Sequence, residues 1–100
     1  MDEALALVAV DIGGRPFVQF DAGFSWRFCG LFDTDVLEDF FWGFSRGLGA
    51  NIVVRVPFGR SDHHKIEAIF KAFGKAMKTA VKINSEVGEK VPSTKGIIEG

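Results

Sequence analysis

Apolar residues recur at helical spacing from about Asp62 to Asn84, where Ile66, Ile69, Phe70, Phe73 and Met77 form one stripe. A helix with a single apolar stripe must lay it against another element, so the rest of the chain has to supply that surface. Residues 51–58 alternate at the period of a strand, with Ile52, Val54 and Val56 facing in. Residues 3–11 also read as a strand, but Leu5, Leu7 and Ala9 alternate with Ala6, Val8 and Val10, which predicts cover on both faces. Gly13-Gly14 is a two-residue hairpin signal and predicts pairing with a second strand over 15–22, with Val18 and Phe20 on one face. A short third strand or loop falls around Arg27–Leu31. Asp33-Thr34-Asp35 opens a first helix, with Asp35 and Glu38 at the spacing of a capping box. Val36, Leu37, Phe40, Phe41, Phe44 and Leu48 then recur at helical spacing until Gly47 and Gly49 stop it. The order is β-β-(β)-α-β-α, an α+β fold of two layers with both helices available to one face of a sheet. Residues 1–84 make one domain, and 85–100 read as a polar C-terminal tail.

Size and composition narrow the function classes. A chain of 100 residues holds one small core. With 47% hydrophobic and 25% charged residues it is a folded chain and not a disordered tail. No apolar run is long enough to span a bilayer. The segment MDEALALVAVD places two acids, and no base, before its apolar stretch, which argues against a secretory signal. The single cysteine, Cys29, permits neither an intrachain disulfide nor a thiolate metal cluster, and fits a cytoplasmic setting. Residues 63–100 carry seven lysines and four acids. That excess suits a small anion such as phosphate, or simply a solvated face, and is too weak to indicate nucleic acid.

Both histidines stand side by side at the start of the second helix, in SDHHKIEAIFKAFGKA. At about 100° per residue, with His63 at zero, Glu67 falls near 40°, Lys71 near 80° and His64 near 100°, beside the apolar stripe and not within it. Two imidazoles and a carboxylate suit zinc, iron, nickel or manganese. Adjacent histidines diverge, so they more easily serve two metals than one. A plainly solvated helix start has the same composition, with Glu67 and Lys71 as an i,i+4 ion pair. The histidines lack the four-residue spacing of zinc proteases. In the tail, Ser93, Thr94 and Lys95 precede Gly96; a hydroxyl and an ammonium there can close over a phosphate, although such a tail is also what disorder looks like.

The segments MDEALALVAVDIGGRP, DHHKIEAIFKAFGKAM and VPSTKGII resemble, in order and approximate spacing, three blocks of the imidazoleglycerol-phosphate dehydratase family. The resemblance runs from Met1 into the tail and covers the second half of a duplicated enzyme. It implies a half-domain with a four-stranded sheet and two helices on one face, and homo-oligomeric assembly. The implied activity is that of a manganese(II)-dependent hydro-lyase of histidine biosynthesis, which removes water from imidazole glycerol phosphate to give imidazole acetol phosphate. Residue by residue, the resemblance makes His63, His64 and Glu67 metal ligands, with Glu67 also a candidate for proton transfer. It makes Lys71, Ser93, Thr94 and Lys95 holders of the substrate phosphate. Glu3 lies in the Asp-Glu-Ala-Leu block and receives no catalytic role.

Two departures stand out. The family's first half, with its own double-histidine block, has no counterpart in these residues, so this half is expected to be incomplete alone. Where the family's first helix carries a metal-ligating histidine, this chain has Asp39, either an oxygen ligand or a plain surface aspartate. The alternative function is a non-catalytic metal-binding or assembly module in which Asp39 marks a decayed site.

Overall fold

The computed structural model describes residues 3–90. Its elements follow in the order β1 (Ala4–Ile12), β2 (Phe17–Asp21), β3 (Phe28–Cys29), β4 (Phe32–Asp33), α1 (Asp35–Leu48), β5 (Ala50–Gly59) and α2 (Asp62–Lys90). The α+β class is as expected: a sheet forms one layer and two helices the other. Strand β5 takes the middle of a three-stranded sheet, antiparallel to β1 and parallel to β2. It carries the strongest alternation in the chain, with Ala50, Ile52 and Val54 all at 0% exposure, and the central position buries that face most fully.

This arrangement corrects the hairpin expected at Gly13-Gly14. Strand β5 lies between β1 and β2, and Pro16, just ahead of β2, has no N–H to give a ladder. Gly14 instead donates its N–H to the Gly49 carbonyl at 2.7 Å, where α1 passes into β5. Gly49 closes α1 in the left-handed region, at φ 68°. The fourth strand of the sheet is corrected too. Among the described residues, β3 pairs with β4 alone, Phe28 opposite Asp33 and Cys29 opposite Phe32. Two residues on each arm are too short to extend the main ladder.

The helices share one face of the sheet, and their contact is aromatic. Phe41, fully buried on α1, meets Phe73 of α2 edge-on at 5.0 Å and stacks on Phe70 at 6.2 Å. Leu37, Val18, Ile52, Val54 and Ile69 complete the core. Burying side chains of this size contributes about 1.5–3 kcal/mol each. The other face of the sheet is not covered among the described residues, contrary to the two-sided apolar pattern of β1. Leu7 is 51% exposed there and Phe58 54%.

Helix boundaries differ in two details. Asp35 is the first residue of α1 and not its cap; the Asp33 carboxylate accepts the Asp35 N–H at 3.0 Å in place of the expected capping box. Helix α2 continues to Lys90, past the end expected at Asn84. No proline intervenes before 90, and the single Gly88 costs only about 1 kcal/mol relative to alanine.

Candidate metal site at the start of the second long helix

The first turn of α2 is anchored from inside. Asp62, 9% exposed, accepts the backbone N–H groups of Ser25 and Trp26, both at 3.0 Å. Lys65, 7% exposed, donates from Nζ to the Gly23 carbonyl at 2.8 Å and lies 3.7 Å from the Asp62 carboxylate. Its stem runs against Gly59, where an added Cβ would fall 2.8 Å from Lys65 Cγ. The sequence does not announce this anchor: Asp62 marks only the start of the helix there, and Lys65 is one of the seven lysines of residues 63–100.

With Asp62 and Lys65 directed inward, the helical period turns His63, His64, Glu67 and Lys71 away from the core. His63 Nε2 lies 2.9 Å from Glu67 Oε1, one turn on, and both side chains are exposed. Glu67 thus faces His63 and not Lys71, its partner in the alternative of a plainly solvated helix start. His64 Nδ1 meets Glu3 Oε1, and the other oxygen of Glu3 accepts the Arg60 N–H at 2.9 Å. Ser61, just ahead of the helix, accepts the His64 N–H in a long contact of 3.4 Å. The two imidazole rings are 5.7 Å apart and tilted by 60°. The surface thus presents two imidazole–carboxylate pairs pointing different ways. Among the described residues, no three His, Cys, Asp or Glu side chains converge as a complete metal site.

The other expected site residues are dispersed. Asp39 is exposed on α1 and joins no such group. Lys71 is exposed and lines a shallow depression with Leu5, Ala68 and Lys75. Ser93, Thr94 and Lys95 lie outside the described residues. A cleft of about 300 Å³ flanks His63, lined by Trp26, Phe28, Cys29 and Arg60 among others. Beyond it, the Arg27 guanidinium bonds Asp33 at 3.0 and 3.2 Å. That hydrogen bond holds the Asp33 carboxyl below the ordinary aspartate value and raises Arg27.

A family model described as imidazoleglycerol-phosphate dehydratase matches residues 1–77. The imidazoleglycerol-phosphate dehydratase of Chloroflexus aurantiacus is 47% identical over 98 residues, which is 98% of this chain and 48% of that protein. That of Limosilactobacillus fermentum is 49% identical over 98 residues, covering 98% of this chain and 50% of the relative. The crystal structure of imidazoleglycerol-phosphate dehydratase from Staphylococcus aureus subsp. aureus N315 superposes with a TM-score of 0.72 at 45% identity, over 76% of this chain and 45% of that one. The chain spans about half the length of the curated relatives it matches.

Proposed function

The chain belongs to the imidazoleglycerol-phosphate dehydratase family, and from that premise we propose that it supplies the second-half portion of a manganese-dependent hydro-lyase acting on imidazole glycerol phosphate. The observation that carries this reading is the outward pairing of two adjacent imidazoles with two carboxylates at the start of α2. Imidazole nitrogen and carboxylate oxygen are a donor set that first-row divalent ions accept, so the residues present fit the metal. Neither pair reaches three donors among the described residues, and each ion would need ligands from a partner chain or the family's other half. His63, His64 and Glu67 would hold the metal, which when bound supplies a Lewis acid for the imidazole end of the substrate. Asp39, in the position of a family histidine, would add an oxygen donor only across a contact with another chain.

Glu67 is also the carboxylate we assign to proton transfer, taking up or releasing a proton at Oε1, the oxygen now facing His63. Lys71 lies one turn further along the same face and offers a point charge to the substrate phosphate, with Ser93, Thr94 and Lys95 completing the clamp. Binding energy at the phosphate would orient the reacting end. The non-catalytic alternative has no specific observation in its favour. We place the protein in the cytoplasm, in line with the single free Cys29 and a small phosphorylated substrate.

Homo-oligomerisation belongs to the same proposal. The open sheet face, with Leu5, Leu7 and Phe58, offers an apolar surface that a second copy can cover. A monodisperse monomer by sedimentation at tens of micromolar would contradict it. The metal reading is tested by elemental analysis after manganese loading and gel filtration. Near-stoichiometric manganese that His64→Ala abolishes supports a site that assembles in this chain; equal retention by the variant rejects it, and no retained metal means that this half has ligands but needs the other half to complete the site.

A further inference from the structure

Glu3 is the one member of the two pairs to which the sequence resemblance gives no role, and its surroundings are specific. The β1–β5 register sets Ala4 opposite Gly59, which carries Glu3 to the point where β5 leads into α2. There its two oxygens are used differently. Oε2 accepts the backbone N–H of Arg60 at 2.9 Å, which fixes the carboxylate to the β5–α2 connection. Oε1 faces His64 Nδ1. A carboxylate oxygen accepts and does not donate, so this contact places the proton of a neutral His64 on Nδ1 and leaves Nε2 with its lone pair. His63 is engaged through the other nitrogen, Nε2, by Glu67. The adjacent histidines are therefore held by different ring atoms.

We propose that Glu3 is a positioning residue for His64: it fixes the ring and its tautomer so that Nε2 is the donor presented to the metal. Carboxylates that bond the far nitrogen of a metal-binding histidine orient the ring and raise its basicity. Glu3 acts through His64 and does not itself bind the ion. The metal part of this inference rests on the dehydratase reading, and the tautomer part does not.

The test uses the full chain with ¹⁵N-labelled histidine. In slightly alkaline, metal-free buffer, long-range ¹H–¹⁵N correlations should show His64 with a protonated Nδ1 and an unprotonated Nε2 in the parent. A parent spectrum with the proton on Nε2 overturns the proposal without any variant. Glu3→Ala should convert His64 to a mixture of tautomers while leaving the His63 signals in place; an unchanged His64 spectrum overturns it as well. Glu3→Gln, nearly isosteric, serves if the alanine variant does not fold, because a single amide oxygen cannot satisfy both Arg60 and His64. Manganese affinity, read by the loss of the free-ion electron paramagnetic resonance signal, should fall roughly ten- to hundredfold in the Glu3 variant with both histidines intact. Equal affinity contradicts the positioning role. If His64→Ala leaves manganese binding unchanged, the metal reading fails, whatever the tautomer.

Discussion

The start of α2 carries two side-chain pairs that begin only a residue apart, and they have opposite fates. Asp62 and Lys65 are buried, and their bonds go to the backbone of the 23–26 segment. His63 and Glu67 are exposed, 2.9 Å apart, with ring and carboxylate atoms open to another partner. Burial separates the roles. A buried charge with its hydrogen bonds satisfied is a fixed part of the fold, since moving it would strand polar groups away from water. An exposed imidazole–carboxylate pair stabilises the chain little and can exchange its partner for a metal ion. Spacing alone put all four residues in one helix start; the direction of each side chain decided which were structure and which were site.

Breaking the inner pair should have the largest effect. Asp62→Ala removes the acceptor for two backbone N–H groups and leaves Lys65 buried beside them, and should destabilise the chain by about 3–5 kcal/mol, measured by urea unfolding. Gly59→Ala attacks the same anchor from the other side. It forces a Cβ to 2.8 Å from Lys65 Cγ and 3.1 Å from Ala4 Cβ, and about 1–3 kcal/mol of lost stability is expected. On the outer side, His63→Ala should change stability by no more than about 0.5 kcal/mol while lowering manganese binding. A loss as large as that of Asp62→Ala would erase the contrast.

The smallest effect belongs to the exposed Arg27–Asp33 pair. The folded Asp33 carboxyl titrates below its unfolded value, chiefly because of the hydrogen bond from Arg27. Its contribution is therefore present above the ordinary aspartate range and lost as pH falls through the folded value. An NMR titration should place the Asp33 midpoint below the ordinary aspartate value, and Arg27→Ala should raise it. The effect on overall stability should be slight and further reduced by salt.

The elements were legible in the sequence because their signals are local. The stripe on α1, the alternation of β5 and the stop at Gly49 each lie within a few residues, and the structure follows them. Strand pairing was not legible, since Gly13-Gly14 looks the same whether β1 returns onto itself or β5 enters between the strands. The buried hydroxyl of Ser45 was likewise missed. It donates to the Ala50 carbonyl at 2.5 Å and so ties α1 to β5, a role that nothing in DFFWGFSRGL announces. For the candidate site, the outward face of His63, His64 and Glu67 followed from helical geometry. Glu3 did not, because its partner lies 61 residues away and only the register of β1 on β5 brings them together.

In the proposed function the outer face of this helix turn binds manganese, while the inner face holds the fold. An ion that binds the native chain and not the unfolded one raises the melting temperature in proportion to its binding free energy. Thermal unfolding of the parent, His64→Ala and Gly59→Ala, each with and without manganese, reads both faces in one measurement. Manganese should raise the melting temperature of the parent and of Gly59→Ala, whose metal-free value is already lower, and raise that of His64→Ala distinctly less. A parent that does not respond to manganese, or a His64→Ala chain that responds as the parent does, would contradict binding of the ion at this face of the chain.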